Sequence, residues 1–326
     1  MEPKFTELLA DVFKFRFTYI TARDKKGHLQ GVMPCFFLKN VFFGKRLVSL
    51  PFNFFGGCAA TTPHALNNIL EQVKRLSSPC LYCEIKNTEL LSPEVAKRYN
   101  LLLNRQFLTY VLPLSSQQEL EKGLKKRFRE KLRSLKLKYG SRLTLKRGTK
   151  ESDLVSFYSL MVKEYLRKHL MVPLPFKFFS KFWEVFISKK SADLFLLYFD
   201  HHLAAGVIVL YYKKKMIYQW GAFNLNLAWA SPLTLLLDQM LYLGLEQGLE
   251  VFDFGLTEKN HQGLRFFKSR WGTEEKWLSY YYLLSRTEKI SPPDYHSSFL
   301  TARQILPWLP VFFGKRLPPW VIRQLA

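Results

Sequence analysis

The stretch Ser231–Gly272 reads SPLTLLLDQMLYLGLEQGLEVFDFGLTEKNHQGLRFFKSRWG, and its punctuation predicts a helix, a strand and a loop in that order. Ser231 is a good N-cap residue, and Pro232 stands at the first helical position, where a missing N–H costs nothing. Leu233, Leu236, Leu237, Met240, Leu241 and Leu245 recur at three- and four-residue intervals, one face of an amphipathic helix. Gly248 supplies the stop. Val251–Phe254 reads as a short buried strand that Gly255 ends, and a glycine-punctuated loop leads to Phe266-Phe267-Lys268 and Trp271-Gly272. An acid near the end of a strand and a lysine set among aromatics mark a candidate site.

Working outward, the second half of the chain repeats the element order of the first. Phe13–Ile20, Gly31–Leu38 and Phe42–Leu50 have the pattern of strands, Pro63–Leu76 that of a helix, and Leu81–Ile85 and Phe107–Leu112 that of further strands. Gln117–Tyr139 reads as one long basic helix whose apolar stripe is Leu124, Phe128, Leu132, Leu135 and Tyr139. Asp153–His169 and Phe176–Ile187 are predicted helices. Leu194–Tyr198, Leu203–Tyr212 and Met216–Phe223 are predicted strands that lead into the opening stretch, and Trp277–Leu284 is a predicted final strand. The order β-β-β-α-β therefore occurs twice, in an α/β chain. One heptapeptide, VFFGKRL, occurs at both Val41–Leu47 and Val311–Leu317.

The motif order resembles that of FemAB-like acyltransferases of the GNAT superfamily, which include the BioF-type acetyltransferase domain. Asp253-Phe254-Gly255, Gly263, Phe267-Lys268 and Trp271-Gly272 carry the resemblance, with Gly44–Phe52 and Gly56-Gly57 as a second segment in the first half. It extends from about Val32 to Tyr282. The resemblance implies an α/β (α+β) fold of two tandem GNAT-like domains, the acyl-CoA N-acyltransferase fold. The expected division is residues 1–112, then 113–285 as the BioF-type domain with the basic helix 117–139, then a Pro-, aromatic- and Arg-bearing tail, 286–326.

The implied activity is N-acyl transfer to an amine acceptor, with an envelope precursor as the acceptor the family suggests. Such a reaction needs donors facing the developing oxyanion. The resemblance assigns that part to Lys268; the plain alternative is a lysine whose stem packs on Phe267 and Trp271 while its head reaches solvent. Asp253 has three readings: a base for the incoming amine, a partner for Lys268, or a cap for the turn that follows. Ser231 and the N–H groups of Leu233 and Thr234 form a helix start able to cradle a phosphate of the donor. Trp220, Gly255, Phe267 and Trp271 are the expected substrate contacts. The preceding Asn226–Ser231 lacks the glycines of the usual acetyl-CoA loop, which moves weight from acetyl-CoA or another acyl-CoA toward aminoacyl-tRNA as donor. An acetyl-CoA-dependent acetyltransferase is the second reading, and a non-catalytic RNA- or membrane-binding protein on the same fold the third.

Composition narrows the partners. The 49 Lys and Arg residues against 26 Asp and Glu give a net charge of +23, a field that favours anionic partners such as tRNA or an acidic membrane surface. The basic helix is nearly of one sign, which repels itself unless a partner neutralises it. Cys80-Leu-Tyr-Cys83 has C-x-x-C spacing, but Cys35 and Cys58 supply no second pair and the histidines show no ligand spacing, so no metal is expected. No apolar run reaches the length of a spanning helix, and the start lacks a signal pattern, so the expected place is the cytoplasm, with the inner membrane face where anionic lipid would hold it. Trp308, Phe312, Phe313 and Trp320, interleaved with Lys315, Arg316 and Arg323, suit a lipid–water interface.

Overall fold

The computed structural model describes residues 3–40, 44–87, 90–284 and 318–323. In chain order the elements are α1 (Pro3–Phe13), β1 (Arg16–Arg23), β2 (Leu29–Asn40), β3 (Gly44–Val48), β4 (Ala59–Ala60), α2 (Pro63–Ser77), β5 (Tyr82–Asn87), α3 (Pro93–Arg98) and β6 (Leu101–Asn104). There follow β7 (Phe107–Pro113), α4 (Gln117–Gly123), α5 (Lys126–Tyr139), β8 (Leu143–Arg147), α6 (Glu151–Glu164), α7 (Phe176–Phe182), β9 (Ala192–Phe199), β10 (His202–Tyr212) and β11 (Lys215–Phe223). Then come α8 (Pro232–Glu246), β12 (Val251–Glu258), α9 (Gln262–Ser269), β13 (Glu274–Trp277), β14 (Ser279–Leu284) and α10 (Pro319–Arg323).

The described residues fall into two compact units, 3–107 with 277–284 and 318–323, and 108–276. The first holds a sheet in the order β1-β2-β3-β5-β14-β6, with β4 paired to β2. Thr62 starts α2 by accepting from the Ala65 N–H at 3.1 Å, and Pro63 occupies the first turn. Ile69, Leu70 and Val73 of α2 then pack on Cys35, Leu47, Cys83 and Ile85 of the sheet. The second unit holds β13-β7-β12-β11-β10-β9-β8. Its core joins Phe128 and Leu132 of α5, Leu236 and Met240 of α8, Phe252 and Phe254 of β12, and Trp271.

Several expectations change. The strand read at Phe107–Leu112 lies in the second sheet beside β12, and the strand read at Trp277–Leu284 forms β14 in the first, between β5 and β6. The basic helix 117–139 is two helices. Leu124 between them is extended, with ψ 134, and the Lys125 N–H donates to the Arg270 carbonyl at 3.1 Å. Gly272 has φ +77, and a Cβ there would stand 2.5 Å from the Gly123 oxygen, so the Trp-Gly glycine lets two backbones meet at this break. The region read as a loop after Gly255 contains α9, and β12 runs on to Glu258 rather than ending at Gly255. The N-terminal segment forms α1, whose Phe5, Leu8, Leu9 and Val12 are buried.

The helix read at Asp153–His169 ends as a π-helical turn, Tyr165–His169, and Trp183–Ile187 forms another after α7. All four cysteines are free. Apart from 318–323, the tail reading lies outside the described residues, as do Val41, Phe42 and Phe43 and the whole second copy of the heptapeptide. No helix among the described residues is long and apolar enough to cross a membrane.

Candidate active site

β11 and β12 are parallel neighbours, and α8 supplies the crossover that a parallel pair requires. Their ladder covers only Lys215↔Val251, Met216↔Phe252 and Ile217↔Asp253. Beyond it β11 continues to Phe223 and β12 to Glu258 with no further register between them. The two strands therefore part at Asp253.

A glycine bulge follows at once. Gly255 has φ +70, a conformation that a residue with a Cβ avoids. Its N–H donates to Asp253 Oδ1 at 2.8 Å, and the Thr109 hydroxyl on β7 donates to the same oxygen. The bulge breaks the alternation of carbonyl directions, so the Gly255 and Leu256 carbonyls turn to one ammonium. They accept from Lys268 Nζ at 2.8 and 2.9 Å. Lys268 comes from the last turn of α9, which begins with a Leu264 N–H donated to His261 Nδ1. The Trp271 N–H and Thr273 hydroxyl both donate to the Lys268 carbonyl and fix that end of the helix.

Lys268 is only 4% exposed, which overturns the reading of a head in solvent. Burial pushes its amine down to about 7, opposed by the charge of Asp253. Burial likewise raises the Asp253 carboxyl, countered first by the Thr109 hydroxyl, then by the Gly255 N–H and the Lys268 charge. No ion pair within 4 Å joins the two side chains. Asp253 caps the turn after it and influences the lysine through space. A buried amine that exchanges its proton near neutral pH, at a parting of parallel strands, is equipped for acid–base or electrostatic work.

The other expected contacts separate into two groups. Trp271 is buried, with its ring 4.9 Å from Phe128 and 5.9 Å from Phe254, and so walls the site from the core side. Phe267 packs on the same core, 6.4 Å from Trp271. Trp220 instead packs edge-on against Phe178, Phe179 and Phe182 at 5.5, 5.3 and 5.2 Å. Ser231 is left-handed, with φ +51, and its side chain makes no capping bond. Its carbonyl accepts from the Thr234 and Leu235 N–H groups at 3.0 and 3.2 Å, so of the three residues read as a phosphate cradle, Thr234 has already spent its N–H. Thr109 escaped the sequence reading; a lone hydroxyl in the apolar run FLTYVL was the available signal.

Residues 122–263 match the family described as the Acetyltransferase (GNAT) domain. The structure is similar to that of FemX, with a TM-score of 0.66 and 16% identity over 86% of this chain and 90% of that one. It is also similar to the C-terminal domain of a putative lysylphosphatidylglycerol synthetase from Agrobacterium fabrum, with a TM-score of 0.57 and 11% identity over 94% and 92%. A tandem GNAT protein from the clavulanic acid biosynthesis pathway matches with a TM-score of 0.54 and 10% identity over 89% and 90%. No curated protein sequence matches the chain. Residues 122–263 therefore carry the match to the GNAT domain, and the fold over most of the chain is the one seen in FemX and in a tandem GNAT protein.

Proposed function

We propose that the second unit transfers an aminoacyl group from an activated ester to a primary amine on an anionic acceptor, an envelope precursor in the family's pattern. The observation that carries this is Lys268, a buried lysine held at the strand parting by two carbonyls. In its charged form it stabilises the oxyanion that develops as the amine attacks. Asp253 and Thr109 hold the bulge that aims it. An aminoacyl donor is favoured over an acyl-CoA because the start of α8 has neither a glycine loop nor a free Thr234 N–H to cradle a pyrophosphate. The similarity to a lysylphosphatidylglycerol synthetase domain supports the same reading. Melting temperatures with acetyl-CoA and with a non-hydrolysable aminoacyl-adenosine separate the donors: the true one at a hundred times its Kd stabilises by about 2.7 kcal/mol. Stabilisation by acetyl-CoA alone overturns the aminoacyl reading.

The anionic partner meets α5. Lys126, Arg127, Lys131 and Lys138 are exposed there and make no ion pair, whereas Arg133 pairs with Glu121 at 3.5 Å and Lys136 with Asp238 at 2.7 Å. Changing those four unpaired residues to Gln is expected to flatten the salt dependence of RNA binding by about 3 in logarithmic slope. An unchanged slope means that the face is only solvated.

A further inference from the structure

On the β11 side of the same parting stands a group of charges that the transfer step leaves unused. Phe223 is the last residue of β11, and the N–H of the next residue, Asn224, donates to Ala204 on the β10 side. Backbone N–H groups alternate along a strand, so the Phe223 N–H points to the side that β12 has left. There it donates to Glu164 Oε2 at 2.7 Å. A side-chain carboxylate thus replaces the missing strand, and Glu164 is buried to 3% of its side-chain surface.

The π-helical turn after α6 completes the arrangement. Lys168 reaches Glu164 at the ordinary i,i+4 spacing, and the i to i+5 bonding of the π turn also brings His169 back to the same carboxylate, which a regular α-helical turn does not allow. Lys168 Nζ and His169 Nε2 each lie 3.3 Å from Glu164 Oε1. The Lys168 ammonium also sits 4.2 Å from the centre of the Phe223 ring. The phenols of Tyr165 and Tyr218 are the other titratable groups facing the carboxylate, and burial raises both. Tyr218 is held in place by Gly221, where any Cβ would come 2.0 Å from the phenol oxygen.

A buried carboxylate beside an aromatic face is a receptor for a primary ammonium. Here the occupant is the protein's own lysine, whose side chain is 46% exposed and able to swing out. We infer that Glu164 and Phe223 form an ammonium-binding cage on the β11 wall, occupied by Lys168 until a ligand's ammonium displaces it. The ligand class is a primary ammonium: the α-ammonium of an aminoacyl ester, which an acetyl donor lacks, or the ammonium of the acceptor. Which of these it serves rests on the transfer reading; the existence of the cage does not.

The Phe223 amide reports on the cage directly, independently of any transfer. Its NMR shift would be followed in titrations with L-alanine methyl ester, n-butylamine and methyl propionate, on the parent protein, Lys168→Ala, and Lys168→Ala with Glu164→Gln. Gln keeps an oxygen for the Phe223 N–H, so the fold tolerates it. The expected result is ammonium binding at least tenfold tighter in Lys168→Ala than in the parent, lost in the double variant, with no response to methyl propionate. Tighter binding of the ester than of butylamine assigns the cage to the donor; equal or tighter binding of butylamine assigns it to the acceptor. Equal affinities in parent and Lys168→Ala, retention in the double variant, or a response to methyl propionate overturns the cage. Loss of acyl transfer alone would not.

Discussion

The two units carry the same frame and use it differently. In the first, β3 and β5 are parallel over Arg46↔Tyr82, Leu47↔Cys83 and Val48↔Glu84, joined by α2. In the second, β11 and β12 are parallel over the same number of pairs and end at Asp253, joined by α8. Each ladder stops at an acid. In the first unit the chain closes over that acid: Glu84 meets the Tyr282 hydroxyl at 3.2 Å and Lys86 at 3.4 Å, while Lys86 also donates to the Asn53 carbonyl at 3.0 Å. Tyr280 adds a bond to the Phe54 carbonyl at 3.1 Å. In the second unit the strand bulges at Gly255, and the lysine arrives from the next helix without pairing to the acid.

The difference is one of charge balance. Lys86 and Glu84 are both largely buried and neutralise each other, so that pair presents no spare charge. Lys268 is buried without such a pair, so burial lowers its amine to about 7 and leaves its charge to be used. On the proposed function, reactivity depends on the placement of the cation, not on the presence of an acid at the parting.

Four substitutions and titrations bear on this contrast. Lys268→Met is expected to lower transfer by about 100- to 1000-fold, the cost of removing one oxyanion donor, with little loss of melting temperature. Transfer within about threefold of the parent, under ~1 kcal/mol in barrier, ends the contrast. Lys86→Met is expected to do the reverse. It removes the ammonium beside the buried Glu84 carboxylate and lowers stability by about 3 kcal/mol, with transfer rates unchanged when measured below the melting transition.

The third test is pH. Lys268 binds its proton more weakly folded than unfolded, so its burial costs stability below about 7 and that cost is relieved as pH rises toward the ordinary lysine value of 10.5. Between those limits the parent should gain stability relative to Lys268→Met. Transfer should lose its cation-dependent limb as pH rises through about 7, and a rate that only climbs there assigns the work to the neutral amine. Thr109→Val is the smallest of the four. It removes a buried hydroxyl from Asp253 and is expected to cost about 1–3 kcal/mol in unfolding free energy, with a smaller loss of transfer than Lys268→Met. A neutral result would mean that the bulge does not depend on β7.

Periodicity made the strands, α2 and α8 legible, and Pro232 and Gly248 were read correctly as punctuation because proline and positive-φ glycine act locally, whereas Gly255 bends β12 without ending it. The motif residues Asp253, Lys268 and Gly272 were also visible as unusual types at fixed spacing. What local chemistry could not encode was pairing. Phe107–Leu112 and Trp277–Leu284 have similar apolar patterns, and only the assembled sheets place β7 beside β12 and β14 beside β5. The break between α4 and α5 lies inside a sound helical pattern and exists because the Lys125 N–H finds the Arg270 carbonyl, far away in sequence. The ammonium cage depends on a π turn meeting a strand end that has lost its neighbour. Sequence determined which segments fold and which residues have chemistry to offer; contacts between distant segments decided that Lys268 is buried without an ion pair, because burial and charge neutralisation belong to the whole packed unit.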